Sequence, residues 1–246
     1  MKIEFSKLLF VIITGFLLIS CGGNNVPFPG LTRMEIYNMG VQAMQDEEWE
    51  DASEAFENIL LTSGFEFAPE VRIGLARSKF EREQYIESRA EYQRALDRFP
   101  ADTTAPHASL GICRSLERMS PIPHREQSFT RQALVQCGQV ASEYAGTVIG
   151  LRGSEIAIEM NDKLAEQDYL TGLHYLKRKL IDSAIIYLES VEASYPESTW
   201  APWALLKKME AFELIGYKED AEEARKKILD MYPDSEPAKL LDNGDR

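Results

Sequence analysis

The sequence predicts an all-α fold, an α-solenoid of about five stacked helical hairpins, from three features of residues 33–236. Apolar residues recur at helical spacing, as in Ala52, Phe56 and Ile59. No segment alternates polar and apolar residues for long enough to indicate a strand. Proline is almost confined to the expected helix ends and loops, where its missing N–H costs least. Together these features favour helices packed on helices.

A pattern of small and large residues recurs along the predicted helices. A small residue is followed by another 12 positions later, a large residue four further on and a helix breaker eight beyond that. This is the spacing of the tetratricopeptide repeat, whose period is about 34 residues. Paired helices approach closely where both carry small side chains. The sets are Gly40, Ala52, Phe56 and Gly64; Ala76, Ser88, Tyr92 and Pro100; Gly172, Ala184, Leu188 and Pro196; and, more loosely, Met209, Ala221, Arg225 and Pro233.

The third hairpin departs from this spacing. We expect it to begin at Leu110-Gly111, but the second small residue, Ala133, then comes 22 positions later. The spacing therefore predicts a ten-residue insertion near residues 117–126, between the two helices. Such a loop is either a contact surface or a tolerated surface insertion.

A second irregularity precedes the fourth hairpin, where no proline occurs between Pro123 and Pro196. The simplest interpretation is one helix over residues 148–177, about 45 Å long at 1.5 Å per residue. It would join hairpins 1–3 (residues 33–146) to hairpins 4 and 5 (residues 147–236), leaving a tail at 237–246. The alternative is a break near Asn161-Asp162, because both residue types favour helix caps.

The N-terminus carries a short apolar segment, residues 8–19, between Lys7 and the sequence Ser20-Cys21. A charged start, an apolar run too short to span a bilayer and a small residue before a cysteine resemble a bacterial lipoprotein signal. The resemblance implies that residues 1–20 are removed and that Cys21 receives acyl chains. Residues 21–32 then form a flexible tether to the membrane. The alternative is an uncleaved anchor helix.

The chain has 27 Lys and Arg against 40 Asp and Glu, a net charge of −13. This charge argues against binding of nucleic acid through a general positive field. Apart from Cys21, the cysteines are Cys113 and Cys137, on neighbouring predicted helices. We expect two buried free thiols in preference to a disulfide, although the compartment would permit one.

Catalytic and metal-binding motifs are missing from the sequence. It lacks a phosphate-binding P-loop, a nucleophile elbow and a zinc-protease motif. The three histidines, His107, His124 and His174, are far apart in sequence. We therefore predict a protein without enzymatic activity, metal or cofactor.

Hairpin stacks present a groove lined by the first helix of each hairpin. We expect eight side chains to face this groove and to suit an extended peptide. Arg77 would meet a terminal carboxylate, and Tyr37 or Phe80 would pack on an aromatic side chain of the peptide. Each of these residues has the alternative of simply filling the stack. The eight are Tyr37, Asn38, Val41, Met44, Ile73, Arg77, Phe80 and Ile112. Trp200 and Trp203 are candidates for partner contact, although helix packing explains them as well.

The lipoprotein signal, the tether and the five irregular hairpins resemble the BamD family of outer-membrane protein assembly lipoproteins. The most specific stretch is residues 125–133, where family members often carry Asp-Gln-x-x-Thr-x-x-Ala and this chain has Glu126, Gln127, Thr130 and Ala133. Tyrosine or phenylalanine before Pro100, Pro196 and Pro233 also suits the family.

The resemblance implies an outer-membrane lipoprotein whose body lies in the periplasm. It implies docking on the periplasmic POTRA domains of a BamA-like β-barrel insertase through the C-terminal hairpins. It also implies that the N-terminal hairpins bind unfolded barrel precursors, which end in an aromatic residue. The alternative function is a repeat scaffold lipoprotein for pilus assembly or cell-envelope division.

Overall fold

Eleven helices make up the part of the chain that the computed structural model describes, residues 28–61 and 63–244, and no strand occurs there. The helices are α1 (Arg33–Gln45), α2 (Trp49–Leu60), α3 (Ala68–Glu81), α4 (Tyr85–Arg98), α5 (Ala105–Met119), α6 (Ser128–Glu143), α7 (Val148–Lys177), α8 (Ile181–Ser194), α9 (Ala201–Ile215), α10 (Lys218–Met231) and α11 (Glu236–Gly244).

Local sequence signals set several helix ends. Thr32 and Glu35 form a capping box at the start of α1, since each accepts a hydrogen bond from the other's backbone N–H. The Thr147 hydroxyl accepts from Gly150 N, 3.1 Å away, at the start of α7. Gly216 ends α9 with a φ of 84°, a left-handed conformation that glycine adopts without steric cost.

Consecutive helices pack as antiparallel hairpins that stack on one another. The pairs are α1–α2, α3–α4, α5–α6, α7–α8 and α9–α10, and α11 lies against α9 and α10. This confirms the predicted solenoid of tetratricopeptide-like hairpins. Most of the expected C-terminal tail, residues 237–246, lies in α11, which buries Ala238 and Leu241 in the last core cluster.

The predicted small-to-large contacts hold the hairpins together. A Cβ built on Gly40 would lie 2.7 Å from the ring of Phe56, and one on Gly172 would lie 2.9 Å from Leu188. The Ser88 hydroxyl donates to Ala76 O at 2.8 Å. These contacts confirm the spacing for hairpins 1, 2 and 4, because real Cβ atoms do not approach neighbours so closely.

Helix α7 runs unbroken over 30 residues and continues through Asn161 and Asp162. Its first half contributes Ile156 and Met160 to the core of hairpins 2 and 3. Its second half contributes Ala165 and Tyr169 to the core of hairpin 4. The single long helix is confirmed, and it belongs to both halves of the stack.

A disulfide joins Cys113 on α5 to Cys137 on α6, with Cα atoms 5.0 Å apart. The expectation of two free thiols is therefore wrong. Both cysteines are fully buried. Sequence spacing alone did not show that the two Cα atoms lie within bridging distance.

In the third hairpin the first small residue of the repeat lies two positions later than the sequence spacing predicted, at Cys113 and not at Gly111. Gly111 packs under Tyr92 as Gly74 packs under Phe56, and Ser115 donates to Gly111 O as Ser78 donates to Gly74 O. Cys113 therefore takes the place of Gly40 and Ala76. The loop between α5 and α6 is residues 120–127, and the expected insertion at 117–126 is corrected accordingly.

Candidate peptide-binding cleft

An open cleft of about 490 Å³ lies between the C-terminal ends of α1 and α3, the first helices of hairpins 1 and 2. We call it the α1–α3 cleft. Aliphatic and aromatic side chains form one part of its wall, and one cation with two acids forms another. Its lining residues are Val41, Met44, Gln45, Glu47, Trp49, Arg77 and Glu81.

Arg77 is the cation of the α1–α3 cleft. Its guanidinium carbon lies 5.7 Å from the centroid of the Trp49 ring, within the range of a cation–π contact. Arg77 is exposed and forms no ion pair within the described ranges 28–61 and 63–244. The stacked guanidinium is therefore oriented yet keeps its donors available to an anionic ligand.

The same arrangement recurs one hairpin further along. The Arg114 guanidinium carbon lies 4.6 Å from the Phe80 ring centroid, and that of Arg118 lies 5.1 Å from the Tyr85 centroid. Arg77 and Arg114 are 37 residues apart, as are Gly74 and Gly111. A row of arginines stacked on aromatic rings thus follows the repeat.

Tyr92 lies in the core of hairpins 2 and 3, with its ring against Gly111. Burial raises the pKa of Tyr92 to about 12, although the positive charges of Arg114 and Arg77 act in the opposite direction. Tyr92 stays neutral there at physiological pH, so the cations of the row remain uncompensated by a phenolate.

Sequence reasoning gave eight groove candidates, and three of them, Val41, Met44 and Arg77, line the α1–α3 cleft. It missed Trp49, Arg114 and Arg118. The signal for the arginines was present, since Arg114 follows Arg77 at the interval of the repeat. Trp49 begins a second helix, and only the first helices were expected to line the groove.

The other five candidates lie outside the α1–α3 cleft. Ile112 is wrong as a groove residue because it is buried in the core of hairpins 2 and 3. Phe80 is also buried, and Arg114 covers its ring. Ile73 is half-buried against the same core. Asn38 is exposed but does not line the cleft.

Tyr37 belongs to an aromatic cluster next to the loop between the first two hairpins. Its ring stacks on Phe67 at 5.3 Å between centroids and tilts against Phe65 at 5.8 Å. Burial raises the pKa of the Tyr37 hydroxyl, and the nearby Glu70 carboxylate adds to that effect. The cluster fills the space between hairpins, which explains why Tyr37 is absent from the cleft.

The residues of the 125–133 stretch have structural roles. The Gln127 amide is buried and donates to Ile122 O at 2.8 Å and to Arg125 O at 2.9 Å. The Thr130 hydroxyl donates to the Gln127 side chain. Gln167 on α7 donates to Arg125 O at 3.2 Å. The loop 120–127 is thus fixed to the hairpin and to the long helix.

The two tryptophan candidates are half-buried. Trp200 packs against Tyr169 with ring centroids 5.0 Å apart, and Trp203 packs against the core clusters of hairpins 4 and 5. Both therefore contribute to helix packing while keeping an exposed edge. Cys21, the predicted acylation site, lies outside the described residues.

No helix among the described residues combines the length and apolar character that a membrane span needs. No group of three or more His, Cys, Asp or Glu side chains within residues 28–61 and 63–244 is placed to hold a metal ion.

Comparison with solved structures finds tetratricopeptide-repeat proteins. The TPR2AB domain of yeast Sti1 in an Hsp90 complex is 12% identical with a TM-score of 0.43, covering 85% of this chain and 80% of that one. A thermophilic TPR protein of Thermus thermophilus is 16% identical with a TM-score of 0.36, covering 87% of this chain and 98% of that one.

Comparison with curated proteins finds two relatives called outer membrane protein assembly factor BamD. The protein from Rickettsia prowazekii is 24% identical over 238 residues, 94% of each chain. The protein from Caulobacter vibrioides is 25% identical over 190 residues, 76% of this chain and 61% of its own length. The model of the family YfiO, described as outer membrane lipoprotein, matches residues 29–236. The chain therefore belongs to this outer membrane lipoprotein family.

Proposed function

We propose that this protein is a non-enzymatic, lipid-anchored adaptor of outer-membrane β-barrel assembly, with its helical body in the periplasm. Membership of the outer membrane lipoprotein family carries the proposal. The Rickettsia relative, a named assembly factor, matches over nearly its whole length. A stack of helical hairpins suits an adaptor, because it offers extended surfaces to several partners at once.

The α1–α3 cleft is the proposed site for unfolded barrel precursors. The apolar side chains of Val41 and Met44 suit the aromatic residue at the precursor's end. Arg77, held over Trp49, suits the terminal carboxylate. The acids Glu47 and Glu81 at the same cleft would repel a carboxylate placed away from Arg77. This arrangement favours one orientation of the bound peptide.

The C-terminal hairpins are the proposed docking surface for a BamA-like insertase and its POTRA domains. Trp200 and Trp203 are fixed by packing and keep exposed edges. A rigid aromatic edge contributes to an interface with little loss of side-chain entropy. Helix α9, which follows Trp200 and carries Trp203, does not contact α1, α2 or α3 in the described part of the chain. Insertase and precursor could therefore bind together.

Cys21 is the proposed acylation site, and residues 21–32 are the proposed tether. One acyl chain gives only marginal membrane binding, with a partition constant on the order of 10⁴ M⁻¹, so a stable anchor needs more than one. The tether would let the helical body stand clear of the lipid headgroups while remaining at the membrane.

Affinity purification of the tagged full chain from a detergent-solubilised envelope tests the function. We expect a BamA-like insertase to be recovered, and an unrelated tagged lipoprotein to recover none. Recovery of a pilus secretin without any BamA-like protein would overturn the proposal in favour of a pilus-assembly scaffold. Cleavage or ligation of peptidoglycan fragments by the purified protein would contradict the absence of enzymatic activity.

A further inference from the structure

A second cavity lies at the edge of the stack where α2 ends and α3 begins. We call it the loop-edge cavity. Its volume is about 550 Å³, and its lining includes Ile59, Phe65, Ala68, Arg72, Arg98 and Phe99. It shares no lining residue with the α1–α3 cleft, whose residues come from the opposite ends of the same helices.

Arg72 gives the loop-edge cavity a buried positive group. Only 8% of this residue is exposed. Its Nη1 donates to Glu91 Oε2 at 2.7 Å, while its Nε is buried without an acceptor among the described residues. Because buried donors in proteins are nearly always satisfied, the orphan Nε indicates that an acceptor is missing from this site.

Arg98 adds a second cation at the mouth of the loop-edge cavity. It is exposed and forms no ion pair in the parts of the chain that the structure describes. Glu66, the nearest acid in the adjoining loop sequence, is exposed and does not line the cavity. The charge of Arg72 is paired with Glu91, so Arg98 supplies the unpaired charge of the cavity and Arg72 supplies the unsatisfied Nε donor. A cation and a buried donor in an apolar cavity favour an anion that carries an apolar group.

Exposed apolar side chains surround this edge. Leu61 is 80% exposed, Met34 43% and Leu31 40%. Arg33 joins the start of α1 to the same edge, since its Nη1 donates to Ser63 O at 3.1 Å and its guanidinium lies 5.9 Å from the Phe65 ring centroid. Apolar residues mixed with arginines are typical of surfaces that lie in a membrane interface.

The start of α1 lies at this edge. Thr32, its N-cap, comes eleven residues after Cys21, and Arg33 bonds to Ser63 O. Eleven extended residues reach about 36 Å at most. An acyl anchor at Cys21 would therefore keep the loop edge within that distance of the headgroups.

We propose that the loop edge of the first two hairpins rests on the membrane surface and that the loop-edge cavity receives the phosphate of an anionic phospholipid headgroup. Arg98 and Arg72 contact the phosphate, whose oxygen supplies the acceptor that Arg72 Nε lacks. Leu61, Met34 and Leu31 insert at the boundary between the lipid headgroups and the acyl chains. This inference rests on the lipid anchor of the proposed function.

Hydrogen exchange of the acylated full chain in nanodiscs tests the inference. One set of nanodiscs contains phosphatidylcholine alone, and the other contains equal parts of phosphatidylcholine and phosphatidylglycerol. We expect exchange of the amides of residues 63–67 to slow by about fivefold in the anionic nanodiscs. Arg98→Gln should abolish the difference, and Arg98→Lys should keep part of it.

Arg89→Gln is the matched control, because Arg89 lies on the same helix and does not line the loop-edge cavity. It should keep the full protection. Equal exchange in the two kinds of nanodisc, or equal protection in Arg98→Gln, would overturn the inference. So would equal protection by inorganic phosphate with phosphatidylcholine nanodiscs, which would show a site for free anions. Failure of the chain to stay on any nanodisc would instead overturn the lipid anchor.

Discussion

The ring of Phe56 lies directly against the backbone of Gly74, one hairpin further along the stack. A Cβ built on Gly74 would come within 2.6 Å of Phe56 Cε2. The opposite edge of the same ring lies against Gly40. One buried phenylalanine therefore sets the distance between three helices, α1, α2 and α3.

Gly74→Ala is expected to destabilise the protein. Overpacking in a close-packed core costs about 1–3 kcal/mol, more than the helix propensity that alanine gains. Urea unfolding should show the loss as a lower midpoint. Gly138→Ala is the control, because nothing lies within 4 Å of its added Cβ; it should keep or raise the midpoint. A Gly74→Ala protein as stable as the wild type would contradict the close contact.

Reduction of the Cys113–Cys137 disulfide is expected to lower stability. The bridge spans 24 positions, and a loop of this size gives about 3 kcal/mol in the chain-entropy account. Unfolding measured with and without reductant should show the loss. The double variant Cys113→Ala/Cys137→Ala should be insensitive to reductant. Identical unfolding midpoints for the oxidised and reduced wild type would argue against the bridge.

The disulfide is a feature of the fold that the sequence did not predict. A contact between glycine and phenylalanine or leucine can be recognised in a sequence, because a small and a large residue recur at a fixed spacing. The contacts in hairpins 1 and 4 were therefore predicted correctly. In hairpin 3 a covalent bond replaces that contact, and Cys113 and Cys137 are 24 positions apart where Gly40 and Phe56 are 16 apart. The loop 120–127 accounts for five of the eight extra residues, because the corresponding loop of hairpin 1, residues 46–48, has three. The other three lengthen the helices, and spacing alone placed the loop too early.

The candidate site was predicted less well than the fold, for a physical reason. Helical spacing indicates which residues share a face, but the depth of a side chain depends on its neighbours in other hairpins. Ile112 and Arg77 both lie on first helices, yet Ile112 is buried and Arg77 is exposed. Trp49 reaches the α1–α3 cleft from a helix start, a position that the pattern does not single out.

Arg77→Glu is expected to weaken binding of a peptide that ends in phenylalanine with a free carboxylate. Loss of a charge-assisted hydrogen bond corresponds to about a tenfold rise in Kd, and reversal of the charge adds to it. Fluorescence anisotropy at constant salt measures the change. Arg89→Glu changes the net charge equally outside the cleft and should bind as the wild type does. Equal affinity of Arg77→Glu would remove Arg77 from the site.

Glu192 is expected to make stability depend on pH. Burial alone would raise the pKa of Glu192, but hydrogen bonds from Lys208 at 2.5 Å and Lys227 at 2.6 Å lower it below its usual value. A lowered pKa gives stability that is present above the unfolded-state pKa of about 4.3 and disappears as pH falls through the folded-state pKa.

Glu192→Gln should therefore be less stable than the wild type by about 1–3 kcal/mol at pH 7, and the difference should shrink toward zero in strong acid. Thermal or urea unfolding across pH measures it. Glu189→Gln is the control, since Glu189 is half exposed and lies 3.8 Å from Lys208. A difference that stays constant as pH falls would contradict the role of the Glu192 carboxylate.

Cys21→Ala is expected to release the protein from the membrane fraction, because the substitution removes the sulfur that would carry the acyl chains. Fractionation of cells followed by detection of the chain measures the partition. Cys137→Ala, which leaves Cys21 in place, should remain with membranes. Unchanged partition of Cys21→Ala would reject the lipoprotein interpretation of the N-terminus.

Helix α7 connects the two halves of the stack rigidly, because it is continuous over 30 residues. Ile156 and Tyr169 belong to different core clusters, yet the same ladder of backbone hydrogen bonds runs through both. A force that rotates the C-terminal hairpins is therefore transmitted to the N-terminal hairpins through α7. The two halves can rotate relative to each other only if hydrogen bonds of this helix break.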